Sequence, residues 1–328
     1  MDELFTKILY RAITHNVTDI HFFLKDDLTI RMRRYGILYH YDTLNKDIGS
    51  KLMNFIKYKS YINLNYKLLP QTGQFQSIID QKKYELRISY LPSLEFESIV
   101  IRILNNHETL SLDEITKIKE IRDYLNQLTK RRNGLFVVSG ATGSGKTTTL
   151  YTLIDMFIKQ GGLNIISIED PIENHKDGCI QIELNEKLGI NYHDSLKQIL
   201  RHDPDIIMIG EIRDEITANL CITCALTGHL VLTTVHSSNA YLTLKRLINL
   251  NIPSSDLEDV LIGILSQRLR YDITNEQVIV LGELLDRHSI YNILVNNVVD
   301  YHNFRYNAQL LIDQGYDASL FEVEFNEY

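Results

Sequence analysis

The order of segments predicts an α/β fold: a doubly wound, mainly parallel sheet in the larger C-terminal part, preceded by a smaller α+β domain with a largely antiparallel sheet. Three observations carry that prediction. The stretch Gly140-Ala141-Thr142-Gly143-Ser144-Gly145-Lys146-Thr147 satisfies the phosphate-loop pattern, with a short apolar run at 135–138 before it and a helical pattern over 146–159 after it. Around and beyond that loop, strand-like and helix-like segments alternate, at 164–168, 195–201, 206–209, 215–226, 230–235 and 241–250. Ahead of it, short strand candidates are joined mostly by turns instead of helices. At 328 residues, 44% of them hydrophobic, the chain can fill a core in each of two domains.

Taken in order, the chain opens on a helical stripe, Leu4, Phe5, Ile8, Leu9, Ala12 and Ile13, which suits packing within its own domain better than docking to a partner. Strands are expected at 19–24, 28–33, 73–79, 84–90 and 98–103, and a helix at 48–59. The polar segment Asn105-Asn-His-Glu-Thr109 marks a boundary, so the expected division is an N-terminal domain 1–105, a hinge over 106–118 and a second domain 119–328. Without proline or a glycine-serine tract, the connection is a hinge and not a tether. A helix over 114–130 leads into the strand before the phosphate loop. Beyond residue 252 the pattern is mostly helical, clearest at 256–270 and 305–314. There is no internal repeat and no low-complexity segment.

Composition narrows the function classes. Lys and Arg number 34 against 42 Asp and Glu, a net charge of −8, so direct nucleic-acid binding is not expected, since its footprint is a concentrated basic field. The clusters Arg31-Met-Arg33-Arg34 and Lys130-Arg131-Arg132 are short and suit solvated faces. Three cysteines, Cys179, Cys221 and Cys224, are too few for a disulfide framework and point to a reducing compartment. Cys221 and Cys224 form a C-x-x-C, but no second pair completes four zinc ligands, and the three-residue step puts both on one face of a helical pattern; they are expected in the core, and no zinc is expected. The acidic N-terminus lacks a secretory core, and no run approaches eighteen apolar residues. The expectation is a soluble cytoplasmic chain whose membrane role, if any, is peripheral.

Four constellations carry chemistry. A strand, a glycine-rich turn and a helix N-terminus together aim backbone N–H groups and the positive end of a helix dipole at a polyphosphate. Residues 140–148, closing with Thr148 in the first helical turn, are therefore the candidate nucleotide-binding stretch, with Lys146 for the β- and γ-phosphates and the Thr147 hydroxyl for Mg²⁺. The plainer alternative is a glycine-rich turn that matches by chance. Next, 205–211 is a hydrophobic strand delivering Glu211 at its C-terminal end, where α/β sheets bind ligands; such an acid holds Mg²⁺ directly or through water, or is a surface acid after a buried strand. Glu169, Asp170 and Glu173 stand in five residues at another strand end and could polarise water, complete a metal shell, or form a solvated turn around Pro171. Finally, His229 and His236 bracket the strand 230–235; they could sense a γ-phosphate from either end, or be ordinary core histidines.

Together these resemble the signature set of the secretion ATPases that drive type II secretion, type IV pili and competence pili. The Walker A loop resembles 140–147, the Asp box Ile168-Glu-Asp-Pro-Ile-Glu173, the Walker B motif 200–214, and the His box Thr227-Gly-His-Leu-Val-Leu-Thr-Thr-Val-His236. Asp19-Ile-His21 and Leu69-Pro-Gln-Thr-Gly73 are similar to elements of the family's N-terminal domain. The resemblance implies a RecA-like ATPase domain with a PAS-like N-terminal domain, ATP and Mg²⁺ as ligands, and Glu211, Glu173, His229 and His236 around the γ-phosphate. It also implies that Arg87 and Arg102, by themselves ordinary exposed strand residues, are arginine fingers, with Arg201 a weaker third. The implied assembly is a homo-oligomeric ring, a hexamer, at the inner face of the membrane, acting on a polytopic platform protein and, indirectly, on pilin-like subunits. Three departures stand out: no long N-terminal extension precedes Asp19, no tetracysteine zinc subdomain follows 266–272, and Gln74 stands where the family has arginine. These resemble the small competence pilus ATPases of Gram-positive bacteria. The implied function is ATP-driven assembly of a pilus-like fibre for DNA uptake; a retraction motor and a nucleotide-binding switch without motor activity are the alternatives.

Overall fold

The structure, a computed structural model, describes residues 1–66, 68–104, 110–185, 188–272, 275 and 277–326. The chain divides into two compact units, 1–107 and 108–328.

In the first unit α1 (Asp2–Thr14) and α2 (Lys46–Lys59) pack on a six-stranded sheet of β1 (Val17–Leu24), β2 (Leu28–Arg34), β3 (Ile37–Leu44), β4 (Gln71–Ile79), β5 (Lys82–Pro92) and β6 (Glu97–Leu104). The order is β3-β2-β1-β6-β5-β4, and every neighbouring pair is antiparallel. Alternation decides which face is covered: Ile20, Phe22, Ile30, Met32, Ile88 and Ile101 point into a core with Phe5, Leu9, Leu52 and Ile56 from the helices. The opposite face carries a cross-strand row of Arg33, Asp19, Arg102, Arg87 and Gln74. Strand β3 is missing from the sequence-based expectations because neither of its faces is buried, so its residues show no apolar alternation.

The second unit begins with α3 (Leu112–Ile115) and α4 (Lys119–Leu128), which part at the extended Thr116 and so replace the single helix expected over 114–130. Of the stretch 106–118 expected as hinge, 106–109 lies outside the described residues, while Leu112, Ile115 and Ile118 are buried in this unit's core. Then follow β7 (Gly134–Ser139), α5 (Lys146–Gln160), β8 (Ile165–Glu169), β9 (Ile180–Glu183), α6 (Tyr192–Ile199), β10 (Ile206–Ile209), α7 (Glu215–Leu226), β11 (Leu230–Val235), α8 (Ala240–Asn249), α9 (Ser254–Val260), β12 (Leu261–Asp272), β13 (Gln277–Asp286), α10 (Arg287–Asn296), α11 (Phe304–Asp313) and α12 (Glu322–Asn326). The sheet order is β13-β12-β7-β11-β10-β8-β9, parallel throughout except for β13. One hydrophobic core lies on each face of this sheet, which is why its central strands are continuous apolar runs. Cys221 and Cys224 sit in one of them, where burial pushes both thiols up, Cys224 to about 11.

The helix expected over 256–270 is a correction. Only 254–260 is helical; from Leu261 the chain is a strand covered on both faces, so its run Leu-Ile-Gly-Ile-Leu has no period of two to distinguish it from a buried helix. Gly263 marks the tight spot, since a Cβ there would lie 2.3 Å from Tyr124 Oη. No described helix is long and apolar enough to cross a membrane.

Gly73, in the Leu-Pro-Gln-Thr-Gly element, has a packing reason. A Cβ on it would stand 2.1 Å from the backbone oxygen of Ser60, which ends α2. Gly73→Ala is therefore expected to destabilise the first unit by about 1–3 kcal/mol, the range for overpacking against an unyielding neighbour. A urea midpoint equal to wild type would refute this account of Gly73.

Candidate nucleotide site

Strand β7 ends at Ser139, flanked by β12 and β11, and the chain turns at once through the loop into α5. That turn demands glycine at two points. A Cβ on Gly140 (φ +147°) would lie 2.4 Å from Ser144 Oγ and 2.5 Å from the carbonyl oxygen of Gln267, while Gly145 enters α5 at φ +87°, a left-handed conformation. Ala141, Thr142 and Gly143 are exposed, Ser144 and Lys146 are buried, and Thr147 and Thr148 are half-buried. No side chain caps α5, whose first N–H groups have no intrahelical acceptor, and the buried Ser144 Oγ has no hydrogen-bond partner among the described residues. An uncapped fifteen-residue helix, an orphaned hydroxyl and an ammonium at an open loop fit a polyphosphate.

The Lys146 ammonium donates to the carbonyls of Gly140 (2.9 Å) and Ala141 (3.0 Å) and lies 3.5 Å from His236 Nδ1. Burial lowers its pKa, and the carboxylates of Glu211 and Glu173 oppose that shift. Glu211 is delivered by β10 and locked on both sides: the Gly210 N–H donates to the Ile168 carbonyl (2.8 Å), and Thr234 Oγ1 donates to the Gly210 carbonyl (2.7 Å). Its Oε1 is 3.4 Å from His236 Nε2, and its Oε2 accepts from Arg213 Nε at 3.0 Å. Lys146, His236 and Glu211 thus meet at the C-terminal edge of the sheet.

The acidic turn after β8 separates into three roles. Glu169 is buried and accepts from Tyr151, Ser167 Oγ (2.6 Å) and Gln181 Nε2 (3.0 Å), so it is a structural node. Asp170 accepts from Arg213 NH1 at 3.0 Å. Glu173 is exposed, within electrostatic reach of Lys146, and its backbone N–H donates to Tyr151 Oη at 3.3 Å. Because Tyr151 belongs to α5, the helix that starts at the loop also carries the turn bearing Glu173.

The structure does not bring His229 to this site. It precedes β11 at the N-terminal edge of the sheet, its Nδ1 near Thr227 Oγ1 and the Cys224 carbonyl, both at 3.0 Å. Seven residue steps along β11, roughly 3.3 Å each, put it about 23 Å from His236. Arg201, ahead of β10, lies exposed at that same remote edge. Arg87 and Arg102 belong to the first unit, where they are directly paired across β5 and β6 and Arg102 Nε donates to the buried Asp19 at 2.9 Å.

Two residues were missed by sequence reasoning. Arg213 ties the carboxylate of β10 to the turn after β8, and its pKa is raised chiefly by its hydrogen bond to Glu211. It stands two residues after Glu211 in the Glu-Ile-Arg-Asp stretch, but no spacing rule identifies its partners. Tyr151 had no signal beyond its place in a buried helix.

Comparison with known proteins agrees with this geometry. Residues 1–300 match the family described as type II/IV secretion system protein. The chain belongs to that family. It is similar to the competence protein ComGA of Halalkalibacterium halodurans, 39% identical over 265 residues, covering 80% of this chain and 76% of the relative. It is 34% identical over 268 residues to type II secretion system protein E of Pseudomonas aeruginosa, covering 81% of this chain and 53% of that protein. Among solved structures, the pilus retraction motor PilT with bound ADP aligns at a TM-score of 0.73 and 27% identity, covering 94% of this chain and 93% of that one. With its phosphate loop and strand-end carboxylate, this member of the family is a P-loop ATPase with a RecA-like domain.

Removing the Arg213 bridge should unsettle Glu211 without touching the loop. Arg213→Ala is expected to lower kcat for ATP by about tenfold, or ~1.4 kcal/mol, with little change in KM. Steady-state hydrolysis checks this, and a wild-type kcat would show that the bridge does not position Glu211.

Proposed function

We propose that this chain powers assembly of a pilus-like fibre for DNA uptake by hydrolysing ATP in a homo-oligomeric ring, a hexamer, at the inner face of the cell membrane. The observation that carries the catalytic part is the meeting of Lys146, His236 and Glu211 at the mouth of the phosphate loop. The similarity to a competence protein over four fifths of the chain supports the role in DNA uptake.

Residues 140–148 bind the triphosphate of ATP: the Lys146 ammonium exchanges its loop carbonyls for phosphate oxygens, and the Ser144 hydroxyl and uncapped amides of α5 take the rest. The Thr147 hydroxyl and Glu211, directly or through water, are the donors for Mg²⁺, an ion that normally takes one or two protein ligands beside substrate phosphates. When bound, it neutralises charge that develops on the phosphate oxygens. Glu211 and Glu173 orient the attacking water, and His236 links the phosphate end of the site to Glu211. Arg87 and Arg102 supply positive charge to the transferred phosphoryl group, with Asp19 holding Arg102 by one edge so that its other N–H groups stay available. The resemblance also implies a role for His229 in linking the γ-phosphate to neighbouring structure, although β11 separates it from the loop of its own chain. The force acts on a polytopic platform protein and, through it, on pilin-like subunits.

Glu211→Gln is expected to retain ATP binding and lose turnover by a hundredfold or more, about 3 kcal/mol; normal hydrolysis would remove Glu211 from the mechanism. Arg87→Ala and Arg102→Ala should each cut hydrolysis while leaving nucleotide affinity within a few fold, and unchanged turnover in both would reduce the first unit to scaffolding. The similarity to a retraction motor favours a second reading, retraction instead of assembly. Complementation of a null strain with Lys146→Ala separates the two: absent surface fibres support assembly, persistent fibres support retraction, and normal fibres with normal transformation support a switch.

A further inference from the structure

Outside the nucleotide site, one buried acid makes a set of contacts that the mechanism above does not use. Glu283, on β13, is 1% exposed. Its Oε1 accepts from the backbone N–H of Ala240 at 2.5 Å, and its Oε2 accepts from that of Phe304 at 3.0 Å. Ala240 and Phe304 are the first residues of α8 and α11, two helices of ten residues each. Each already has an asparagine cap, Asn239 on Leu242 N and Asn303 on Tyr306 N. The carboxylate takes a further orphan N–H from each and sits at the positive end of both dipoles.

What α8 follows gives this contact its reach. Between His236 and Ala240 lie only Ser237, Ser238 and Asn239. That turn is held at two points: Glu283 takes the Ala240 N–H, and Arg268 NH2 donates to the Ser238 carbonyl at 3.3 Å. One turn further along α8, Thr243 Oγ1 donates to Ser139 Oγ at 2.8 Å, immediately before Gly140. The start of α8 is therefore fixed against β13 on one side and against the root of the phosphate loop on the other.

We propose that Glu283 is a positioning residue for the nucleotide site: by capping α8 it fixes the turn that presents His236 to Lys146 and Glu211. The proposal rests on the ATPase reading for its effect on turnover, but its structural core concerns His236 alone. Among the described residues, the charged or titratable groups facing Glu283 are Arg268 on β12 and Tyr301 ahead of α11. Burial outweighs both and the two N–H donors, pushing the Glu283 carboxyl up to about 7. A raised carboxyl is protonated below that value, so the full anionic cap is present above about pH 7 and is lost as pH falls through it.

The test uses the full chain in three single variants, Glu283→Gln, Ala240→Pro and His236→Ala, and their doubles. Proline is suited to the first position of a helix and follows an extended Asn239; it removes the Ala240 N–H and sets its ring Cδ where Glu283 Oε1 now stands, so it breaks the same contact from the α8 side. Glu283→Gln and Ala240→Pro are each expected to lower kcat about tenfold with KM for ATP within about twofold. Neither should add a further loss on top of His236→Ala. The wild-type acid limb near pH 7 should disappear in Glu283→Gln. Independently of activity, the imidazole resonances of His236 should move in both variants while those of His193 and His288 stay. If Glu283→Gln does not fold, Ala240→Pro carries the test. Losses that multiply with His236→Ala, or an unmoved His236 resonance, would overturn the proposal. A wild-type chain without turnover would instead count against the ATPase reading, and the resonances would then decide on Glu283.

Discussion

The nucleotide site depends on keeping a lysine ammonium mostly out of water. Desolvating a cation costs several kcal/mol unless partners make up for it. Here the partners are two loop carbonyls at hydrogen-bond distance, the His236 ring and the carboxylates of Glu211 and Glu173. Those groups come from four segments far apart in sequence, so the cost of burying Lys146 is met only if the sheet edge is assembled correctly. The stability of the loop and its chemistry are in this sense the same requirement.

Around that cation the structure is arranged in layers of support. Arg213 joins the end of β10 to the turn after β8, and Tyr151 with Glu169 joins that turn to α5. On the far side, Gln267 closes on both Gly140 and Thr149, while Glu283 and Arg268 hold the turn after His236. The Tyr151–Glu169 and Ala240–Glu283 contacts are buried hydrogen bonds to carboxylates, costly when left half-made, whereas the Arg213 bridge is partly solvated and orients more than it stabilises. Rigidity at a site that must discriminate between ground and transition states follows from this arrangement.

The first unit shows the same economy on a different scaffold. Its sheet buries one face against two helices and leaves the other polar, so a row of charged residues costs nothing in packing. Arg87 and Arg102 stand directly opposite each other, an unfavourable pairing of like charges that Asp19 relieves.

Much of this was legible in the residues. The phosphate loop declares itself because its backbone needs glycine at set positions and its chemistry needs Lys and Thr next to them, and the strands of the larger sheet announce themselves as apolar runs before helical patterns. The cysteine pair was readable as core because helical spacing places both on one face. What the sequence could not show are facts about pairs. Strand β3 and the β12–β13 hairpin lack a period because burial on neither face, or on both, erases alternation. His229 and His236 look equivalent around one strand, yet strand direction sends only His236 to the loop. Tyr151 and Glu283 carry no motif, and Arg213 lies in one that does not name its partners, since these roles exist only where two elements approach within hydrogen-bond distance. Local chemistry is written in neighbouring residues, whereas the edge of a sheet at which a side chain emerges is decided by the order and direction of its strands.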